Sequence, residues 1–408
     1  MSSGRFALGY YCNARLVSHL GSNGGFRVES YRDHSGHVCG YFDSGTMFPD
    51  TIHPEGSGVW VVDMADPAHP RLATSLTTPA MLSPHESLRV NERRGLLVAD
   101  LGNGVTNAGF VDVYSIEDNC LAPKLESSTP LGVLGHEGGF APDGNTFYVT
   151  SIAGTISAVD LRDPAHPTLL WVSRAYQPHG VSVSNDGKTL FMAAQDALYG
   201  VRILDVSQIQ ERMPNPVVTT LAELTWPEVS IPQNATPFTS RGHQYLIETD
   251  EFGGGSRPVI GTMPVGAARI INIDNLRRTY VVSHLRLAVH NLRDSSKTAH
   301  YCSLPSRVDP YIIACGFLSS GLRVFDVRDV AHPREVAYTN LTNIQSPTAT
   351  TGGGMTGVQY GSVYSAPAYD PAHNDIWYSD ASRGFFAIHL TASSGVTRFA
   401  RIYRTPGS

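Results

Sequence analysis

The sequence predicts an all-β chain closed into a seven-bladed β-propeller, with four antiparallel strands in each blade. Three observations predict it: a unit that recurs seven times, Asp-Gly hairpins ahead of several copies, and a composition suited to short strands. Among 408 residues, 41% are hydrophobic and only 16% charged, with 39 Gly and 26 Pro. That balance favours many short strands and tight turns over long helices. The whole chain, 1–408, reads as one propeller domain, and segment 1–22 is expected to close the last blade, Ala14–Leu20 supplying the strand.

The recurring unit is clearest in GVWVVDMADPAHP (58–70), TISAVDLRDPAHP (155–167) and GLRVFDVRDVAHP (321–333). Weaker copies begin at Phe110, Gly200, Ala267 and Gly384. In the first copy, Val59-Trp60-Val61-Val62 is β-branched and aromatic on both faces, as a strand buried between two neighbouring blades requires. Asp63 and then Asp66-Pro67 end it, because Asp bonds its own backbone two residues on and Pro removes a ladder donor. Hairpins precede the units: HEGGFAPDGNTFYVTS (136–151) and HGVSVSNDGKTLFMAA (179–194) carry Asp-Gly turns between alternating strands. Segments 85–100, 300–316 and 364–380 take the same place.

These units resemble the LVIVD repeats of a family of bacterial β-propellers, over nearly the whole chain. The resemblance implies the fold and says little about chemistry, since propellers host many functions.

Sixteen histidines are present. His69, His166 and His332 belong to the repeated turn and read as exposed turn residues. His85, His136, His179 and His300 differ, because each stands eight to ten residues ahead of a hairpin turn, on the first and innermost strand of blades two, three, four and six. Equivalent innermost positions lie at one height around one axis, so these side chains converge. Blades one and five offer Asn23 and Asn234 at that place, and blade seven Tyr364 or Ser365. Four imidazoles around a point suit Fe, Cu or Zn. With four neutral ligands and open positions, the expectation is a reactive site holding one transition-metal ion, Fe(II) first and Cu second. The bland alternative is that channel histidines bond water and each other.

Four histidines on the inner strands of a seven-bladed propeller resemble, in layout, the iron site of carotenoid cleavage oxygenases. Selenium-binding proteins, also propellers, likewise use channel histidines. In the oxygenases, glutamates bond the ligand imidazoles from outside. By that likeness Glu86 and Glu137, which follow His85 and His136, would each orient a histidine of the adjacent blade; the equal alternative for both is to pack between blades with an Arg or a backbone amide. Neighbouring strand residues point to opposite faces, so neither is expected to reach its own neighbour.

A net charge of −6 gives no basic footprint for nucleic acid, and no apolar run reaches the length of a membrane span. No signal-peptide pattern is seen, so the chain as given reads as cytoplasmic, or exported if a leader has been removed. The five cysteines show no CxxC and read as mostly buried thiols, with a Cys12–Cys39 disulfide allowed in an exported chain. Hydrolase and nucleotide-binding motifs are absent. Asp43, Asp100, Asp196, Asp250 and Asp380 read as structural strand-end acids. Long segments 45–57, 251–266 and 341–362 are expected to cover the channel mouth.

The leading functional expectation is a mononuclear metal oxygenase or oxidase acting on a small or medium organic substrate with O2. Asn23, Asn234 and Tyr364 would line its cavity. A non-enzymatic binding or scaffold propeller is the alternative, and a metal-dependent hydrolase or lactonase the third.

Overall fold

The computed structural model describes residues 9–45, 57–101, 109–131, 135–151, 154–226, 230–251, 266–288, 298–341 and 362–401. The segments expected to cover the channel lie almost wholly outside them. Seven small antiparallel sheets form the ring of a seven-bladed β-propeller. Each blade runs outward from an innermost strand: Val28–Arg32, Arg89–Asn91, Glu137–Phe140, Pro178–Val183, Ile231–Ser240, Ala299–Ser303 and Ala368–Asp370 for blades one to seven.

Chain ends interlock. Ala14–Leu20 pairs antiparallel with Gly384–Leu390 as the outermost strand of blade seven. Just before it, separated by Asn13 alone, Tyr10–Cys12 adds a fifth strand to blade six, against Arg334–Asn340. One short stretch therefore ties two adjacent blades together at the edge of the sheets.

The strand Val59–Asp63 is buried on both faces, as its residue types require. Val59 and Val61 pack with Leu97 and Ala99 of blade two. Trp60 and Val62 pack with Trp377 and Phe385 of blade seven. The turn chemistry follows the sequence as well. Oδ1 of Asp63, Asp160 and Asp326 accepts the backbone N–H two residues on, at 2.9, 3.0 and 3.0 Å. His69, His166 and His332 are exposed, each donating from Nδ1 to the Asp three residues before it. A register shift between the third and fourth strands recurs at the same place in all seven blades, so the repeat carries its own bulge.

The cysteines correct the expected pairing. Cys39 joins Cys120 across blades one and two, and Cys302 joins Cys315 across one ladder of blade six. Cys12 is free and exposed. It sits on the edge strand of blade six, whereas Cys39 starts a strand of blade one that faces blade two, so the two cannot meet. Among the described residues no helix is long and apolar enough to cross a membrane.

Replacing Trp377, 1% exposed between two blades, by Ala should cost roughly 3–5 kcal/mol in urea unfolding. His166→Ala, at an exposed turn, should change stability by no more than about 0.5 kcal/mol.

Candidate metal centre on the propeller axis

Innermost strands of adjacent blades touch through single parallel bridges, Glu86 to Glu137 and Arg27 to Ala366. These fix the register of the axis-facing side chains. His85, His136, His179 and His300 come together there. Ring centroids are 4.5 Å apart for His85 and His136, and 4.6 Å for His136 and His179. Nε2 of His136 lies 2.7 Å from Nε2 of His179. His300 joins the group through carboxylates it shares with the others.

Two of the rings have their tautomer set by the backbone. Nδ1 of His179 is 3.0 Å from the Pro232 carbonyl, and Nδ1 of His300 is 2.8 Å from the Tyr364 carbonyl. A carbonyl can only accept, so each Nδ1 carries a hydrogen and each Nε2 is turned toward the axis, bare on neutral His179 and sharing a proton with Glu251 on His300. Rings held by Nδ1 in this way typify ligating imidazoles. The Gln195 side-chain amide also stands 2.7 Å from Nδ1 of His179, and only its oxygen, turned to the ring, can accept from that N–H.

Glu86 enters the cluster itself. Its Oε2 is 3.3 Å from His136 Nε2 and 3.6 Å from His179 Nε2, and its Oε1 is 3.4 Å from His300 Nε2. His85 explains this. Its φ of +52° is left-handed, so the alternation that should send Glu86 away from the axis breaks at that residue. Glu251, which sequence reasoning did not single out, spans two rings: Oε1 is 3.6 Å from His179 Nε2 and Oε2 is 3.0 Å from His300 Nε2. The signal available was the second acid of Asp250-Glu251 at a strand end. Two three-residue sets have donor atoms within 4.8 Å of one another: His85, Glu86 and His136, and Glu86, Glu251 and His300. The donors are thus four imidazoles and two carboxylates, not four neutral groups alone.

Electrostatics match this geometry. Burial pushes the His136 imidazole well below its usual range, with His85 and His300 adding to the effect. Burial, with His136 beside it, brings His179 down to about 3. His300 is raised, since hydrogen bonding and charge from Glu251 and Glu86 outweigh its burial. Burial works to raise Glu86, yet His85, His179, His300 and Arg27 together hold it below the ordinary carboxylate value. Glu251 is raised by burial despite His300. The fit to a cation shows in one atom: Glu86 Oε2 is buried without a hydrogen bond while facing two imidazole nitrogens.

Other expected residues sit elsewhere. Glu137 reaches no histidine. It accepts from Arg27 Nη2 at 2.8 Å, Arg89 Nη2 at 2.9 Å, Asn234 Nδ2 at 2.5 Å and Tyr301 Oη at 3.0 Å. Here the strand alternates normally, so Glu137 turns away from the His layer, and Asn234 is engaged with it there. Burial pushes Glu137 up to about 7 against the pull of both guanidiniums. Gly180 makes this carboxylate possible: a Cβ there would lie 1.9 Å from Oε2. In blade one, Phe26 rather than Asn23 takes the axial position, its ring 4.4 Å from His85 and 5.2 Å from His300. Asn23 lies three residues earlier and is half-buried. Tyr364 stands beside the cluster, 5.2 Å from His300. At the equivalent place in blade five, Gln233 is fully buried, its amide without a hydrogen bond among the described residues.

No protein-family model and no curated protein matches the chain. Solved structures do. A candidate 6-phosphogluconolactonase from Bacteroides uniformis matches at a TM-score of 0.57 and 13% identity, over 83% of this chain and 88% of that one. Hydrazine synthase of Kuenenia stuttgartiensis matches at 0.55 and 14%, over 91% and 97%. A chain of the mitotic checkpoint complex matches at 0.54 and 10%, over 92% and 93%. At such identities the likeness is one of fold, a seven-bladed β-propeller, and nothing finer.

Because Glu137 joins two buried guanidiniums, Glu137→Ala should cost roughly 3–5 kcal/mol in urea unfolding. A loss below about 1 kcal/mol would show that the carboxylate does not hold the blades together.

Proposed function

We propose that this LVIVD-like propeller is a metal-dependent oxidoreductase, an oxygenase or oxidase of a small or medium organic substrate. The observation that supports it most is the pairing of His179 and His300 Nδ1 with backbone carbonyls. It turns both Nε2 atoms to the axis beside Glu86 and Glu251, where a bound cation would take the place of the proton that His300 shares with Glu251. His85, His136, His179 and His300 would hold one ion, Fe(II) first and Cu second, with Glu86 and Glu251 completing the set. Imidazole-rich donors with carboxylates suit such ions. When bound, the ion supplies a redox-active Lewis acid able to activate O2. The chain's own contribution is to fix the rings with Nε2 toward the axis, to keep His136 and His179 neutral, and to keep Glu86 ionised in a buried site.

Glu86 and Glu251 favour a second reading. Carboxylates in the donor set also suit divalent ions used in hydrolysis, so a lactonase-type activity ranks higher than the histidines alone suggest. O2 uptake separates the two.

Protein purified without an affinity tag should contain about one transition-metal ion per chain by elemental analysis. His179→Ala and Glu86→Gln should each lower that content at least tenfold while circular dichroism and melting still report a folded propeller. Unchanged occupancy in both variants sinks the ligand assignment. Bound metal with ester or lactone hydrolysis and no O2 uptake selects the second reading. Metal-free wild type that stays inactive with added Fe(II) or Cu(II) favours a binding or scaffold propeller.

A further inference from the structure

The axis holds a second feature that the His cluster does not use. Past the layer of Glu137, a few residues further along the innermost strands, lies a cavity of about 400 Å3 lined by all seven blades. Such a volume suits a small organic molecule. Its walls mix Val90, Phe140, Val181 and Leu304 with three arginines, Arg27, Arg89 and Arg307, of which Arg27 is paired with Glu137.

Arg89 is fixed in place. Its Nε donates to the Gly138 carbonyl at 2.7 Å and its Nη2 to Glu137, while Nη1 has only a 3.5 Å contact with Glu29. Arg307 donates from Nη1 to the Val183 carbonyl at 2.5 Å. No ion pair joins Arg307 to a carboxylate among the described residues. Burial, with the charge of Arg89 adding to it, pulls its guanidinium down to about 10. Glu29 also lines the cavity but is engaged with Arg89, and Glu92 is exposed. Arg307 thus lines this cavity half-buried and, among the described residues, without a carboxylate partner. A charge partly withdrawn from water gains from an opposite charge, and the planar guanidinium fork matches carboxylate and phosphate oxygens.

We propose that this cavity binds a small organic anion, its carboxylate or phosphate group shared by Arg89 and Arg307 and its body against Val90, Phe140, Val181 and Leu304. The site stands apart from the metal reading, and its test uses metal-free protein. Calorimetric titrations at low salt would use benzoate, succinate and inorganic phosphate as probes. At least one should bind saturably, one per chain, and weaken at least tenfold in Arg307→Gln with melting temperature preserved. Arg307→Lys, which keeps the charge and loses the fork, should fall between. Benzoate above phosphate assigns the site to carboxylates with an apolar body, and phosphate above benzoate to phosphorylated ligands. Should Arg307→Gln fail to fold, Leu304→Trp, which fills the cavity from a half-buried position, must abolish binding. Absence of saturable binding by all three probes overturns the proposal, as does equal affinity in the wild type and a folded Arg307→Gln or Leu304→Trp.

Discussion

The centre of this propeller depends on one carboxylate. Glu137 of blade three is completely buried and accepts from side chains of blades one, two, five and six. Blade four contributes an absence, the missing Cβ of Gly180, which leaves room for Oε2. A ring of sheets packed only through apolar side chains could tolerate small rotations of each blade. Directed bonds from several blades to one group forbid them, because an unsatisfied charge in such a place is far more costly than a displaced methyl. Arg27 is further fixed by its guanidinium lying 4.1 Å from the centre of the Tyr301 ring and by its Nε donating to the Glu86 carbonyl. That last bond carries the rigidity of the hub directly into the backbone of the neighbouring layer.

The layer of histidines inherits this order. Each ring stands on or beside a strand whose ladder is complete, and blade register rather than loop conformation sets its height. The exception is His85, which sits in a turn with left-handed backbone. Strain of that kind persists only where surroundings over-determine it. Here its consequence is chemical, since it brings Glu86 round to the imidazoles while Glu137, on a regular strand, is carried away from them. Two His-Glu dipeptides in equivalent places thus do opposite things: one carboxylate faces the nitrogens and the other braces the blades.

Fold and repeat were legible because they rest on local chemistry repeated many times. The double-faced apolar run Val59–Val62, the Asp turns and the Asp-Gly hairpins each act within a few residues, and seven copies average out local error. Convergence of His85, His136, His179 and His300 was legible for a related reason, since equal position in a repeat becomes equal height on an axis. What stayed hidden required backbone detail or partners from distant blades. Glu86 does meet a histidine of the adjacent blade, His136, as expected, but from the axis side, because nothing in the residues flags a left-handed histidine before it. Asn23 was misplaced by three residues: the first hairpin of blade one turns at Gly36, ten residues after Phe26, as Gly95 stands ten after His85, and that spacing gives Phe26 the axial position. Cys120 lies in a turn of blade two, and only the packing of two blades brings it to Cys39.

The hub and the histidine layer also depend on each other through charge. A carboxylate as buried as Glu86 would ordinarily be protonated, and a protonated acid is a poor metal ligand. Three imidazoles offset part of that penalty, but those same imidazoles must be neutral to ligate, which limits how much charge they can lend. Arg27 supplies a charge that does not titrate away. It faces Glu137 directly and also pulls Glu86 below its ordinary range. With Arg89 it faces two carboxylates, Glu137 and Glu29, and Arg27 alone of the pair acts on Glu86. Without Arg27, Glu86 would depend on the imidazoles alone to offset its burial. One guanidinium thus serves two layers, bracing the blades through Glu137 and helping to keep an axial carboxylate in the form a cation needs.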